Sequence, residues 1–236
     1  MEPIYKRVLI KISGEALAGS NKTGFDFDFV TKVCETVKRC TEMGVEVGIV
    51  IGAGNFWRGV KDGAGKVERV SADKMGMLGT AMNCLAVADV FRRIGAAAEI
   101  QTAIDIQGVG ERYNTAVAVR KLEEGSIVLF GCGTGCPFFS TDTAAVLRAA
   151  EIGADAILLA KNIDGVYSAD PRLDPTAVKF DSISYDEVLS RHLAVMDTTA
   201  TSLAMDNSIP VIVFGLAEPE NIVRVLQGEK IGTTVR

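Results

Sequence analysis

The chain has 236 residues, 48% of them hydrophobic and 24 of them glycine, which is ample for a packed core and suits an α/β protein with many short connections. Its formal net charge of −5 argues against a surface that coats nucleic acid, and leaves open a single nucleotide met by a local site and a metal ion. The five cysteines, Cys34, Cys40, Cys84, Cys132 and Cys136, are odd in number and lack paired CxxC spacing, against both a disulfide scaffold and a structural zinc site. Buried thiols in a reducing compartment are expected instead. With no secretory h-region after Met1 and no apolar run of bilayer length, the expected location is the cytoplasm, away from any membrane.

In chain order, Lys6 to Ile12 reads as a buried strand ending in Lys11-Ile-Ser-Gly14, so a cation, a hydroxyl and a glycine share a strand's C-terminal edge. In open α/β sheets that edge binds ligands. Asp28 reads as the cap of a helix with Val30, Val33, Val37 and Cys40 on its apolar face, ending at Gly44. Val45 to Ile51 is a second buried strand, opening into Gly52-Ala-Gly-Asn-Phe-Trp-Arg-Gly59, a glycine loop that carries Arg58. Gly59 to Val70 reads as a mobile surface segment. A helix follows from about Ala72 to Ile94, with Met75, Met77 and Met82 expected as core filler. Ala97 to Gln101 is a short strand and Asn114 to Leu122 a helix.

The stretch that organises the rest comes next. Ser126 to Phe130 is an apolar strand, followed by Gly131-Cys-Gly-Thr-Gly-Cys-Pro-Phe-Phe-Ser-Thr-Asp142 and an apolar-periodic helix through Ile152. A glycine loop lets backbone N–H groups close on an anion, and a helix N-terminus adds its positive dipole end. Pro137, Phe138 and Phe139 offer stiff apolar surface for a ring-shaped ligand. Asp155 to Ala160 is a further strand, leading into Lys161-Asn-Ile-Asp-Gly-Val-Tyr-Ser-Ala-Asp-Pro171. Helices near Tyr185 to Leu189, after Val195-Met-Asp-Thr-Thr199 and from Pro219 to Leu226 flank a strand at Pro210 to Phe214. Strands alternating with helices give a mostly parallel sheet covered on both faces.

Four strand ends therefore carry polar or glycine-rich chemistry, and together they suit phosphoryl transfer, which asks for cations and backbone donors around a travelling charge. Lys11 is the leading catalytic candidate, because an ammonium at the end of an apolar strand needs a partner anion. Arg58 holds phosphate or shapes its loop; Asp142 positions Lys11 or magnesium, or caps the helix. Asp73 accepts from a sugar hydroxyl or is an N-cap, and Tyr167 borders a base or is core. No Walker A sequence and no dinucleotide glycine fingerprint are present, and a single histidine, His192, gives little support to a histidine triad or metal cluster.

Taken together, Tyr5-Lys-Arg-Val-Leu-Ile-Lys-Ile-Ser-Gly-Glu-Ala-Leu17, Val50 to Gly59, Asp73 to Asn83, Gly133 to Asp142, Asp164 to Pro171 and Val195-Met-Asp197 closely resemble the bacterial UMP kinases of the amino acid kinase superfamily, over nearly the whole chain. The resemblance implies a three-layer αβα sandwich with a mostly parallel central sheet, as one amino acid kinase domain over residues 1–236, its N-terminal lobe mainly on the UMP side and its C-terminal lobe mainly on the ATP side. It implies magnesium-dependent transfer of the ATP γ-phosphoryl group to UMP, giving UDP and ADP for pyrimidine nucleotide synthesis, with Mg2+ carried by the nucleotide and no metal site of the protein's own. By position, Lys11, Ile12, Ser13, Gly14, Gly54 and Arg58 would meet the ATP phosphates, and Lys161, Asn162, Tyr167 and Asp170 the adenosine. Ala53, Asp73, Thr134, Gly135, Cys136, Pro137, Phe138, Phe139, Ser140 and Thr141 would hold UMP, with Asp142 organising the charges around Lys11. The resemblance also implies homohexamers, GTP activation and UTP inhibition.

Two positions depart from the family pattern. Ala53 stands where the family has the middle of three successive glycines, and its methyl is expected to crowd the UMP phosphate or alter the turn. Cys136 replaces an asparagine, exchanging an amide for a weakly polar thiol. Two rival readings keep the fold: a kinase acting on an amino acid or carbamate, and a nucleotide-binding storage or regulatory protein without turnover. Pro137, Phe138, Phe139 and Asp73 argue against the first, and Lys11, Arg58 and Asp142 against the second.

Overall fold

The structure, a computed structural model, describes residues 2–58, 62–63 and 65–236. Its strands are β1 (Arg7–Ile12), β2 (Glu46–Ile51), β3 (Ala98–Thr102), β4 (Glu111–Arg112), β5 (Ile127–Gly131), β6 (Ala156–Lys161), β7 (Ser182–Ile183), β8 (Val211–Gly215) and β9 (Thr233–Val235). The helices are α1 (Gly14–Ala18), α2 (Phe27–Glu42), α3 (Arg69–Arg93), α4 (Thr115–Glu123), α5 (Thr141–Ile152), α6 (Tyr185–Ser190), α7 (Thr198–Asp206) and α8 (Asn221–Leu226). One sheet runs in the order β4-β3-β5-β2-β1-β6-β8-β9-β7, with β9 antiparallel to β8 and every other pairing parallel.

Side-chain alternation divides the core into two layers. Val8, Ile10 and Ile12 of β1 face a cluster that includes Val33 and Val37 of α2, Cys84 and Phe91 of α3, and Ile222 of α8. Leu9 faces the opposite cluster, with Ala118 of α4, Val146 and Ala149 of α5, and Ala200 of α7. Helices thus cover both faces, and the fold is a three-layer α/β sandwich. Each fully buried Leu or Ile in these layers contributes roughly 1.5–3 kcal/mol of transfer free energy.

The four strands that end in chemistry-bearing loops, β5, β2, β1 and β6, are neighbours in the sheet and all parallel. Their C-terminal ends therefore open on one edge. That single fact of topology gathers Lys11, the Gly52 loop, the Gly131 loop and Lys161.

Some local expectations are corrected. The cap of α2 is Asp26, which accepts from Phe29 N at 3.1 Å, while Asp28 sits in the first turn. Helix α3 begins at Arg69, so Asp73 lies a turn inside it and is no N-cap. Of the anticipated mobile segment, Gly59 to Lys61 and Ala64 lie outside the described residues, and its end is already helix. Of the three methionines only Met77 is core; Met75 and Met82 are 41% and 48% exposed. They form a stripe with exposed Leu78 and Leu85, so α3 has one apolar face on the sheet and a second toward solvent.

Candidate active site

Lys11 shares the sheet face of Leu9, the face covered by α5. Its ammonium Nζ stands 2.6 Å from Oδ1 of Asp142, in the first turn of α5, with both side chains largely buried. Asp142 is free for this because Ser140 caps the helix, accepting from Thr143 N at 3.1 Å. The capping alternative for Asp142 is thereby removed. Oδ1 is buried, and the charge of Lys11 holds the pair. One strand over, Lys161 of β6 lies on the same face, and its Nζ donates to the carbonyl of Val195. Burial pushes the pKa of Lys161 down; Asp142 opposes that shift and Lys11 adds to it.

The loops after β1 and β2 touch backbone to backbone. A Cβ on Gly14 would stand 2.3 Å from Gly52 O and 2.7 Å from Gly54 N, so only glycine fits. Gly52 N donates to Ile12 O at 2.9 Å. Below this contact, buried Asn83 of α3 donates to Gly52 O at 2.7 Å and exchanges two 2.9 Å hydrogen bonds with the buried amide of Asn55. Asn55 and Asn83 thus hold the β2 loop from beneath, a role that polar residues in a loop and a helix do not announce. The methyl of Ala53 is seated against α3, where a Cβ on Gly79 would be 2.9 Å from it. The methyl that departs from the family pattern thus packs against the helix, while Ala53 also lines the smaller cavity. Arg58 reaches back to Glu15 at 2.5 Å.

The loop after β5 is fixed by Thr80 of α3, whose hydroxyl accepts from Cys132 N at 2.7 Å. Cys132 and Gly133 take successive positive φ values of 66° and 60°, which turns the chain sharply at the end of β5 and leaves Gly133 on the smaller cavity. Gly135 has φ 81°, and a Cβ there would lie 3.0 Å from Ala103 O. Thr134 folds its hydroxyl onto Cys136 N at 3.1 Å. Asp73 receives Phe138 N at 2.7 Å and Arg69 Nε at 2.8 Å, while the Arg69 guanidinium lies over the Phe138 ring. Asp73 therefore braces the loop as well as facing the cavity. Phe138 and Phe139 are 65% and 51% exposed.

Two cavities open on the sheet edge. The larger, about 860 Å3, is lined by Lys11, Ser13, the segment Lys161 to Arg172, and Arg191 to Ala194. The smaller, about 320 Å3, is lined by Lys11, Ser13, Gly14, Glu15, Gly52, Ala53, Gly54, Trp57, Arg58, Ala72, Asp73, Gly76, Met77, Thr80, Gly133, Thr134, Cys136, Phe139, Ser140 and Thr141. Lys11 and Ser13 belong to both. Lys161, Asn162, Tyr167 and Asp170 stand on the larger cavity; Gly14, Gly54 and Arg58 stand on the smaller. Ile12 is buried in the core, and Gly135, Pro137 and Phe138 shape the loop from outside the lining. Tyr167 donates to Asp164 Oδ1 at 2.8 Å, and Asp170 is held by Arg172, whose guanidinium lowers its pKa to about 2. Trp57, Thr80 and Glu15 complete the smaller cavity without having been singled out from sequence.

Comparison with known proteins gives a consistent result. The amino acid kinase family model matches residues 6–215. A uridylate kinase from Pediococcus pentosaceus is 52% identical over 233 residues, covering 98% of this chain and 97% of that protein. The crystal structure of UMP kinase from Bacillus anthracis superposes with a TM-score of 0.94 at 38% identity, covering 98% of this chain and 96% of that one. The UMP kinase of Ureaplasma parvum gives 0.92 at 34% identity, covering 98% of each chain.

Proposed function

Because the chain belongs to the amino acid kinase family and its activity is that of a UMP kinase, we propose that ATP occupies the larger cavity and UMP the smaller, with their phosphates meeting at Lys11. The observation that carries this reading is that the two cavities share Lys11 and Ser13. Cavities of this kind suit ligands held by a few convergent polar groups. Residues 1–236 work as one domain, with the N-terminal lobe on the UMP side and the C-terminal lobe, from Lys161 on, receiving adenosine beside Asn162, Tyr167 and Asp170.

A phosphate oxygen of UMP attacks the γ-phosphorus in line; the bond from that phosphorus to the bridging β-oxygen breaks, and ADP leaves. The chain's part is positioning and charge stabilisation. Lys11 neutralises the transferred group, with Asp142 fixing its ammonium. Arg58, the Gly52 to Gly54 loop and the N–H of Gly133 share the remaining charge. The residues facing the phosphates fit a magnesium ion carried by the nucleotide, since Asp142 and Glu15 are already paired with Lys11 and Arg58. Bound there, magnesium would neutralise phosphate charge.

On the UMP side, Thr134, Cys136 and Phe139 border the nucleoside, and Asp73 is placed for a ribose hydroxyl. Self-association follows from the exposed stripe Met75, Leu78, Met82 and Leu85, which a second copy would cover. The family resemblance extends the proposal to a homohexamer, activated by GTP and inhibited by UTP, in the cytoplasm. The test is incubation of the protein with ATP, magnesium and each nucleoside monophosphate in turn, following ADP. ADP formation confined to UMP supports the reading, and equal turnover with other acceptors overturns the assignment of the smaller cavity.

A further inference from the structure

Asp197 does two things with one carboxylate. Its Oδ1 accepts from Ala200 N at 3.0 Å and so caps α7. Its Oδ2 accepts from the hydroxyl of Ser140, the cap of α5, and Thr143 Oγ1 lies 3.2 and 3.3 Å from its two oxygens. One residue thus caps one helix and grips the cap of the next. Hydrogen bonds to a charged acceptor are stronger than neutral ones, so this is a firm joint.

What the joint connects gives it meaning. On one side is the start of α5, which carries Ser140 and Thr141 on the smaller cavity and Asp142 on Lys11. On the other side the chain arrives from Arg191 to Ala194, a wall of the larger cavity. Between wall and carboxylate, the buried Val195 gives its carbonyl to Lys161 Nζ. Lys161 lies on β6 two residues beyond Leu159, the register partner of Lys11 on β1, and on the same face of the sheet. The connections form a closed ring around the proposed transfer point: Lys11, Asp142, Ser140, Asp197, Val195, Lys161 and back through the sheet.

We propose that Asp197 is a positioning residue that couples the two cavities, so that occupancy of the larger changes the affinity of the smaller. The inference rests on the reading of these cavities as donor and acceptor sites. A ligand pressing on the Arg191 to Ala194 wall acts on Asp197, which holds the α5 start that faces the acceptor. By linkage the coupling is reciprocal, each ligand changing the other's affinity by the same factor.

The test is calorimetric titration of UMP with and without a non-hydrolysable ATP analogue, and of the analogue with and without UMP. The wild-type chain is expected to show a shift of about fivefold or more, equal in both directions. Asp197→Ser keeps a good α7 cap but is too short to reach Ser140 and Thr143, and its shift is expected to fall within about twofold. Asp197→Asn keeps cap and reach but loses the charge, and should retain only part of the coupling. Thr143→Val removes one of the two α5 hydroxyls that grip Asp197 while leaving both caps, and should reduce the coupling even if the serine variant folds poorly. Thr201→Val removes a different hydrogen bond, to the main-chain carbonyl of Asp197, and should leave the coupling intact. Full coupling in both Asp197→Ser and Thr143→Val, or a wild-type chain that binds both nucleotides independently, overturns the inference. A wild-type chain that binds neither nucleotide overturns the assignment of the cavities instead.

Discussion

Lys11 and Asp142 lie 131 positions apart in sequence, yet stand 2.6 Å apart because β1 alternation turns Lys11 toward α5 and the Ser140 cap starts that helix two residues before Asp142. A buried ammonium is tolerated only with such a partner. Asp142→Asn keeps the size of the side chain and removes its charge. The expected result is a fall in kcat of about 100-fold, with the KM for UMP much less affected. Steady-state kinetics on the folded variant would check it, and a kcat within a few-fold of wild type would show that Lys11 is held by other means.

Gly14 and Gly52 are expected to behave differently although both are loop glycines at the same edge. A methyl on Gly14 meets backbone at 2.3 Å, whereas the nearest atom to one on Gly52 is 3.5 Å away. Gly14→Ala should therefore destabilise the fold by about 1–3 kcal/mol and abolish most activity. Gly52→Ala should change stability by less than about 1 kcal/mol and act on turnover, because its methyl would stand near Thr141 Oγ1 on the acceptor cavity. Urea melts of the two variants would separate them.

Among the five thiols only Cys136 is exposed, and it lines the smaller cavity. Iodoacetamide is expected to label Cys136 first in the native protein and to raise the KM for UMP. Saturating UMP should slow the labelling, and ATP alone should do so less. Mass spectrometry of the labelled peptide reads both. Labelling unaffected by UMP would place the acceptor away from Cys136.

The other four thiols set the alkaline limit of stability. Burial raises the pKa of Cys34 and Cys40 from an ordinary 9.0 to about 12 and that of Cys132 to about 11, and raises Cys84 as well. An acid whose pKa is raised by folding stays protonated in the native state after the unfolded chain has ionised. The unfolded state then holds fewer protons, and stability falls as pH rises through the window from about 9 to 11. Each thiol contributes up to about 1.4 kcal/mol per pH unit there. Lys161 acts in the opposite direction, since burial lowers its pKa, which makes stability rise with pH below the ordinary lysine value. Four thiols outweigh one lysine, so the net slope above pH 9 is expected to be negative. Urea unfolding at pH 8, 9 and 10 checks the sign, and Cys34→Ala should make the slope shallower by about one thiol's share.

What the sequence reveals and hides follows from how each contact is made. Lys11, Arg58 and the glycine runs are legible because they interrupt or follow apolar strands, and a sheet of parallel strands sends all such interruptions to one edge. The Asn55–Asn83 pair is hidden, because an asparagine inside a helix reads as surface until the loop it holds is in place. Thr80 is hidden for the same reason. Asp26 and Asp28 are two acids at one helix start, and only the local backbone decides which of them caps it. Strands β4, β7 and β9 have two or three residues each, too few for a period of two to register. The second apolar face of α3 blurs its amphipathic pattern, which is why Met75 and Met82 read as core.

The measurement that bears most directly on the meeting of the two cavities at one lysine is Lys11→Ala, read by binding and by turnover on the same preparation. Calorimetry should give Kd values for UMP and for an ATP analogue within about tenfold of wild type, while ADP formation falls by about 1,000-fold or more. That split would mean Lys11 acts on the transferring group and not on either nucleotide alone. Near-normal turnover by a folded Lys11→Ala protein would contradict the assignment and move the transfer point elsewhere on the sheet edge.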